Sequence, residues 1–308
     1  VALWEFESGA LTVDSIGTNT LVNDGVDEDL VNFKQGACAA NFVRANTDSM
    51  SIVDANLNNG FPLKSNDVTK KFSYSFWIKP ASLGADQYLF TKIPHTGWSG
   101  SNTLQILSTG VLQYFHEGLT YPNIETWNIT APGAIVAGQW YHVGISSDGI
   151  AKTITCRIWD VSAGTATTYT HSFTYEPNVG TQTLRLGVYG IGFLGEYDGL
   201  MDEFAVFNRV LTVVEFDDIR NGIFLQPKLA ATVTAVSTVQ GNIVGVSTLL
   251  EGTVDGASSI VAKMSGGALV LGTATCGAAS GVVVATLIIV PGVLTAIPVS
   301  TGGWIIEG

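Results

Sequence analysis

The sequence predicts an all-β protein built from two domains. Only 13% of the residues are charged, whereas glycine, serine, threonine and valine are abundant, a composition typical of secreted and structural β proteins. Apolar and polar residues alternate over residues 200–207 with the two-residue period of a strand. From residue 229 onward, short runs of valine, threonine and isoleucine are separated by glycine-containing turns. With 308 residues the chain can form one large β core or two smaller ones, and we favour two.

Residues 196–222 combine a strand with a short helix. The alternation places one set of side chains on one face, namely Leu200, Asp202, Phe204 and Val206, and the other set opposite, namely Met201, Glu203, Ala205 and Phe207. Thr212 and Glu215 have the spacing of a capping box, in which each side chain accepts a hydrogen bond from the other residue's backbone. Gly222 is suited to a left-handed stop. A helix is therefore predicted from about Val213 to Asn221.

This region resembles the closing motif of laminin-G-like domains, which belong to the concanavalin A-like jelly-roll superfamily. The resemblance rests on Tyr197, Gly199, Asp202, Glu203, Phe207, Asn208, Arg209, Leu211 and Glu215. Residues 3–6 with 14–17 resemble the first strand and acidic turn of that family, and residues 72–80 (FSYSFWIKP) and 138–145 (GQWYHVGI) resemble two central strands. The resemblance covers about residues 1–224. It implies an antiparallel jelly-roll β-sandwich that binds glycans or proteins, often with a structural calcium ion, and that is often not an enzyme.

The buried acid of the predicted strand is a candidate metal ligand. Asp202 lies on the predicted apolar face, where a carboxylate is costly unless it is paired, hydrogen-bonded or metal-bound. In the family that the chain resembles, a structural ion often joins the N-terminal strand region to the closing strand. We therefore name Asp14, Gly17 and Asp202 as candidate Ca²⁺ ligands, since Ca²⁺ prefers oxygen donors. The alternative is that Asp202 accepts backbone or tyrosine hydrogen bonds without an ion.

Two segments rich in aromatic and small polar residues are candidate glycan-binding loops. Residues 95–102 and 117–130 are interpreted as loops, and the side chains that we select from them are Trp98, Asn102, Tyr121, Asn123, Trp127 and Asn128. Aromatic rings stack on the apolar faces of sugars, while amides bond their hydroxyl groups. The alternative is that these aromatic residues hold the loops to the sandwich.

Catalysis is not predicted. Glycoside hydrolases that share the jelly-roll scaffold carry their acids on alternate strand positions, which invites a comparison with Glu196, Asp198 and Asp202. The third acid falls one position too late for that pattern, and no nucleophile motif accompanies it. We therefore expect a binding protein rather than an enzyme, with glycoside hydrolysis as a minor alternative.

The C-terminal segment is almost free of charge. Beyond residue 228 the charged residues are Glu251, Asp255, Lys263 and Glu307. We divide the chain into residues 1–226, the jelly roll, and residues 227–308, a smaller all-β domain interpreted as a meander or small sandwich. Residues 278–306 lack charge altogether, but Pro291, Gly292 and many β-branched residues favour strands over a membrane-spanning helix. An uncharged surface is prone to association, so this domain is a candidate for assembly or docking.

The three cysteines, Cys38, Cys156 and Cys276, are too widely spaced for a zinc site or a dense disulfide framework. Cys156 shares a face with Ile154 and Ile158, which predicts a buried free thiol.

Net charge narrows the choice of partners. A net charge of −12 and an isoelectric point near 4.6 disfavour nucleic acid as a partner, because nucleic acid requires a basic surface. These values suit an extracellular protein or a protein at a virion or cell surface.

Two functional classes are consistent with the sequence. The first is a lectin-like module that binds a glycan or a surface protein, and the second is a structural component of a virion surface or extracellular filament that forms a homo-oligomer through residues 227–308. We expect both roles in one chain; the alternative is a monomeric carbohydrate-binding or adhesion module.

Overall fold

The computed structural model describes residues 1–92, 102–119, 123–190 and 195–223, and beyond these the strands between residues 229 and 307. The chain divides into two compact units, Val1–Gly222 and Ile223–Gly308. The division predicted from the sequence falls between residues 226 and 227, four residues later.

Two antiparallel sheets form the first unit. The strands are β1 Ala2–Trp4, β2 Val22–Asp24, β3 Asp27–Asp29, β4 Ala39–Phe42, β5 Ser49–Ile52, β6 Lys71–Pro80, β7 Gln87–Thr91, β8 Thr103–Ile106, β9 Leu112–Glu117, β10 Ile124–Asn128, β11 Tyr141–Asp148, β12 Thr153–Asp160, β13 Thr165–Ser172, β14 Leu184–Leu186 and β15 Gly199–Phe207. The eight-stranded sheet has the order β13-β12-β11-β6-β15-β4-β3, with β1 beside β15. The seven-stranded sheet has the order β10-β9-β8-β7-β14-β5-β2. This arrangement confirms the predicted β-sandwich.

The core lies between the inner faces of the two sheets. Strand β6 contributes the buried side chains of Phe72, Tyr74, Phe76 and Ile78, and alternate residues of β8, β9 and β14 face them from the other sheet. Burial of these large side chains supplies most of the driving force for folding, at roughly 1.5–3 kcal/mol each. Cys38 and Cys156 are buried free thiols, which confirms the prediction for Cys156. Cys276 lies outside the described residues.

The predicted faces of β15 are wrong. The register of β15 on β6 shifts between Asp202 and Ala205, and Glu203 has a positive φ of 54°, which together mark a bulge. The extra residue reverses the alternation, so that Met201 shares the core face with Phe204. Asp202 pairs with Trp77 and lies on the outer face of the eight-stranded sheet rather than in the core between the sheets.

A single α-helix among the described residues, α1 (Val213–Arg220), confirms the predicted helix. The Thr212 hydroxyl accepts a hydrogen bond from the Glu215 backbone N–H at 3.2 Å, and the Glu215 carboxylate accepts one from the Thr212 N–H at 2.7 Å. Gly222 follows with a φ of 78°. Phe216 of this helix packs on Gly144 of β11, where a Cβ atom would lie 2.3 Å from the ring. The helix therefore covers the outer face of the eight-stranded sheet. Short 3₁₀ turns occupy Arg44–Asn46 and Asp54–Asn56.

The second unit is all-β, but its strands are not arranged as the predicted meander. They are β16 Leu229–Ala230, β17 Val233–Thr234, β18 Val239–Val244, β19 Leu250–Glu251, β20 Thr253–Asp255, β21 Ile260–Ser265, β22 Leu269–Thr275, β23 Val283–Ile288, β24 Thr295–Val299 and β25 Gly303–Glu307. Strands β16, β17 and β18 pair in parallel with β19, β20 and β21, and β22 continues in parallel with β19 and β20. A meander joins neighbours in antiparallel, so these pairings exclude it.

The parallel pairs share a nearly constant spacing along the chain. Leu229 pairs with Leu250, Val233 with Val254 and Val239 with Ile260, in each case 21 residues apart, and β22 lies 20 residues from its partners in β19 and β20. Such a regular spacing is the geometry of stacked coils, each about one repeat long. The last coil strand, β22, is followed by the antiparallel strand β23. Among the described residues, no helix has the length and apolar character that a membrane crossing requires.

Candidate functional site

The outer face of the seven-stranded sheet carries two rows of polar and aromatic side chains. Directly paired residues lie on the same face of a sheet, so the strand register defines each row. The long row consists of Val22, Ser51, Arg185, Thr91, Thr103, Phe115 and Thr126. The short row consists of Tyr88, Gln105, Gln113 and Asn128. We call these two rows together the polar face.

Three amides form a hydrogen-bonded ladder across strands β8, β9 and β10. The Gln105 amide donates to the Gln113 carbonyl oxygen, and the Gln113 amide donates to Asn128 Oδ1 at 2.6 Å. Gln105 is buried, Gln113 is half-buried and Asn128 is exposed, so the ladder rises from the interior to the surface. Each amide fixes the orientation of the next, which leaves the remaining donor and acceptor groups in defined directions.

Two buried acceptors beside the ladder are unsatisfied. Gln105 Oε1 and the Thr103 hydroxyl oxygen have no hydrogen-bond partner within the part of the chain that the structure describes. A buried polar atom without a partner costs about 1–3 kcal/mol. Both atoms are buried and lie beneath the surface that a ligand would contact.

Aromatic side chains border the ladder on both sides. Tyr88 packs against Tyr189 with ring centroids 4.6 Å apart and an interplanar angle of 38°. Burial raises the pKa of Tyr88 to about 12, so that its hydroxyl stays neutral at physiological pH and both donates and accepts hydrogen bonds. Phe115 of β9 is half-buried on the same face. The polar face thus combines oriented amides with aromatic surface.

The predicted loop residues are placed differently from one another. Trp98 and Tyr121 lie outside the described residues. Asn102 is 0% exposed and donates to the Tyr74 hydroxyl at 3.3 Å, so it belongs to the interior rather than to a binding loop. The Asn123 backbone carbonyl accepts from the Gly118 N–H at 2.7 Å and closes the connection between β9 and β10.

The prediction that residues 117–130 form a loop is wrong for Trp127 and Asn128. Both lie in strand β10, where alternation sends them to opposite faces. Trp127 packs against the core and stacks on His171, with ring centroids 5.4 Å apart and an interplanar angle of 10°. Strands β10 and β13 are edge strands of the two sheets, so this stack closes one side of the sandwich. Of the two residues, only Asn128 belongs to the polar face.

The carboxylate of Asp14, one of the candidate calcium ligands, accepts several backbone hydrogen bonds. The Asp14 carboxylate accepts hydrogen bonds from the backbone N–H groups of Leu3, Ile16, Gly17 and Asn19, and from the Asn19 side chain. Asp14 thus holds the first turn to β1. Within the described ranges, no three His, Cys, Asp or Glu side chains are grouped to hold a metal ion. A Ca²⁺ site at Asp14, Gly17 and Asp202 stays a prediction.

Asp202 fits the alternative interpretation, in which backbone N–H groups donate hydrogen bonds to its carboxylate. One oxygen accepts from the Lys34 N–H at 2.7 Å and from the Gln35 N–H at 3.1 Å. Burial raises the pKa of Asp202 to about 7, although these hydrogen bonds lower it. The neighbouring Glu203 is also buried, and burial together with the Asp202 charge raises its pKa to about 9. The hydrogen bonds of Asp202 thus hold residues 34–35 against β15.

The other acids of the catalytic comparison also hold the backbone in place. Asp198 accepts from the Ser82 hydroxyl at 2.8 Å and from the Arg44 N–H at 3.4 Å. The Glu196 carbonyl oxygen accepts from the Arg44 side chain at 2.9 Å. The carboxylates of Asp198 and Asp202 are therefore engaged in contacts that fix the ends and the outer face of β15.

The two antiparallel sheets place the first unit in the class of β-sandwich domains. The chain belongs to the concanavalin A-like lectin/glucanase superfamily, because the Laminin_G_3 family model matches residues 54–215. This match confirms the laminin-G-like resemblance of the first unit. No curated protein sequence matches the chain.

Solved structures with a similar fold include carbohydrate- and receptor-binding domains. Domain 4 of AbnA, a GH43 extracellular arabinanase from Geobacillus stearothermophilus, solved with arabinotriose, is 16% identical with a TM-score of 0.50; the match covers 71% of this chain and 97% of that one. The botulinum neurotoxin serotype G binding domain is 12% identical with a TM-score of 0.51; the match covers 71% of this chain and 50% of that one. The chain thus spans about half of the neurotoxin domain. These identities show a shared fold alone.

Proposed function

We propose that the first unit is a non-catalytic glycan-binding module and that the polar face is its binding surface. The amide ladder from Gln105 to Asn128 carries this proposal, because it presents oriented hydrogen-bonding groups next to aromatic side chains. Sugar hydroxyl groups bond amides in this way, while their C–H faces pack on aromatic rings. The arabinotriose complex of AbnA domain 4 shows that a domain of similar fold is found with a saccharide.

Because its amides are already oriented, the polar face is a better candidate for the glycan-binding site than a flexible loop. Holding each amide in its orientation before the ligand arrives reduces the conformational entropy lost on binding. Gln113 is the central member, since it accepts from one amide and donates to the other. Its removal should therefore disorder the whole ladder as well as delete one contact.

A glycan array followed by calorimetric titration tests this proposal. Gln113→Ala and Asn128→Ala are expected to lower the affinity for whichever glycan binds, by about tenfold each for one or two lost hydrogen bonds. Thr170→Ala is the matched control, because Thr170 is exposed on β13 in the other sheet. Absence of any binder, or equal binding by all the variants, would reject the polar face as a glycan site.

We propose that the module binds glycan without cleaving it. Asp198 and Asp202 are held by backbone N–H groups and by a hydroxyl group, which supports structural roles for these acids. Incubation of the protein with its glycan, followed by an assay for new reducing ends, is expected to give none above a protein-free control. New reducing ends that disappear in Asp202→Asn would establish hydrolysis instead.

We further propose that residues 227–308 assemble the chain into a homo-oligomer at a virion or cell surface or in an extracellular filament. The segment beyond residue 228 carries four charged residues, and uncharged surfaces associate readily. Its first coil, with β16 and β17, also forms an end of the sheet among the described strands, which a second copy can extend. Light scattering after size exclusion should show an oligomer for the whole chain and a monomer for residues 1–226. Monomers in both cases would reject the assembly.

A further inference from the structure

Arg185 is placed near the middle of the polar face. It lies on β14, which is hydrogen-bonded to β7 on one side and to β5 on the other. Its cross-strand neighbours on the outer face are Thr91 and Ser51, neither of which carries charge. The Arg185 side chain is half-buried. A guanidinium group is thus held at the centre of a surface formed mainly by hydroxyl and amide groups.

No acid accompanies this arginine. In the described part of the chain, no ion pair and no hydrogen bond involves the guanidinium group, and burial, without any nearby carboxylate, lowers its pKa. Six of the other eleven lysines and arginines of the first unit pair with carboxylates, and the remaining five donate hydrogen bonds to backbone or amide oxygens or lie over an aromatic ring. The chain has 26 acidic residues against 14 lysines and arginines, so an acidic partner would be easy to supply.

An unpaired, partly desolvated guanidinium group is costly, and an anion reduces that cost. Arginine offers a planar fork that binds a carboxylate or a sulfate through two parallel hydrogen bonds. Because neighbouring strands lie about 4.8 Å apart, three strand spacings along the long row separate Arg185 from Phe115 by about 14 Å. This distance accommodates two or three sugar rings. One ligand can therefore place an acidic group on Arg185 while another of its rings reaches the half-buried Phe115.

We infer that the polar face recognises acidic glycans and that Arg185 binds their anionic group. The inference rests on the proposed glycan-binding function and specifies its ligand class. A carboxylate, as in sialic or uronic acids, and a sulfate ester present the same chemistry to the guanidinium group. A neutral glycan leaves Arg185 without a partner and binds more weakly.

The test uses the whole chain on an array that contains neutral oligosaccharides together with their sialylated, uronic acid and sulfated counterparts. Acidic members are expected to bind better than the neutral members with the same backbone. Arg185→Gln should lower the affinity for acidic members by about tenfold or more and should lower the affinity for neutral members by much less. Arg185→Lys should retain part of the affinity, since the charge remains and the fork is lost. Comparison of the carboxylate and sulfate members identifies the anionic group.

The outcomes separate the inference from the function on which it rests. If neutral members bind as well as acidic ones, or if Arg185→Gln changes nothing while Gln113→Ala abolishes binding, glycan binding stands and the role of Arg185 is overturned. If no member binds, or if neither substitution matters, the proposed function fails as well. The melting temperature provides a folding control: replacing an unpaired charge should leave it unchanged or raise it, whereas a structural arginine would lower it.

Discussion

Replacing Glu203 with glutamine should make the first unit more stable at alkaline pH. Glu203 is 4% exposed and follows the buried Asp202 in a bulge of β15. Burial, and after it the negative charges of Asp202, Glu5 and Glu7, raise its pKa from 4.5 to about 9. The folded protein therefore keeps a proton on this carboxyl group over a pH range in which the unfolded chain has already released it.

The sign of the effect follows from proton linkage. The free energy of unfolding falls as the pH rises from 4.5 towards 9, by about 1.4 kcal/mol per pH unit, because folding must take up a proton. Asp202 acts in the same direction up to its pKa of about 7. His116 and His142 act in the opposite direction below pH 6.5, since burial lowers their pKa values to about 4 and about 3. Between pH 7 and pH 9, Glu203 alone among these four groups contributes, by about 2–3 kcal/mol.

Urea unfolding at pH 7, 8 and 9, followed by tryptophan fluorescence, measures this difference. Six of the seven tryptophans precede residue 223, so the signal reports mainly on the first unit. The stability of Glu203→Gln relative to the wild type should rise by about 2–3 kcal/mol between pH 7 and pH 9. Glu196→Gln is the control and should show no such trend. A difference between Glu203→Gln and the wild type that stays constant over this range would refute the proposed proton on Glu203.

Three further outcomes are expected. Gly144→Ala should cost about 1–3 kcal/mol by overpacking, because a Cβ atom would lie 2.3 Å from the Phe216 ring; adding Phe216→Ala should remove the clash, which urea unfolding of both variants checks. Lys92→Met should cost about 3–5 kcal/mol, since Lys92 lies 2.8 Å from the buried Asp54 carboxylate, and Asp54→Asn in the same chain should recover part of the loss in that assay. Addition of EGTA should leave the melting temperature unchanged, whereas a decrease that Ca²⁺ reverses would restore calcium to the structure.

Local sequence signals predicted the end of the first unit well. The capping box at Thr212 and Glu215 needs only neighbouring residues, and the structure contains both of its hydrogen bonds. The face of Asp202 was predicted wrongly, because a bulge at Glu203 shifts the alternation by one residue. Nothing in the order of apolar and polar residues marks that shift, since a bulge is fixed by pairing with the neighbouring strand.

The polar face was harder to predict, because its residues come from seven different strands. Gln105, Gln113 and Asn128 become neighbours only through the register of β8, β9 and β10. One local signal was present in residues 112–117 (LQYFHE), where alternation separates Gln113 and Phe115 from the apolar positions Leu112 and Tyr114. Trp127 was instead predicted to be a loop aromatic residue. Its ring stacks on His171 and closes one side of the sandwich.

A short repeat in the sequence also indicates the parallel coils of the second unit. Leu-x-x-x-Val occurs at residues 229–233 and again at 250–254, with Thr-Val at its end in both cases. The spacing equals the 21 residues between paired strands. A shorter echo, Val-Ser-Thr at residues 236–238 and 246–248, has a spacing of ten residues and lies outside the described residues.

The coil arrangement allows the length of the second unit to change in steps of one coil. Each coil pairs mainly with the coils next to it, so duplication or loss of 21 residues preserves every remaining strand pair. One such step lengthens or shortens the stack by about 4.8 Å, the distance between paired strands. Natural variants of this chain should therefore differ in their C-terminal part by whole multiples of one coil, while residues 1–222 keep a constant length.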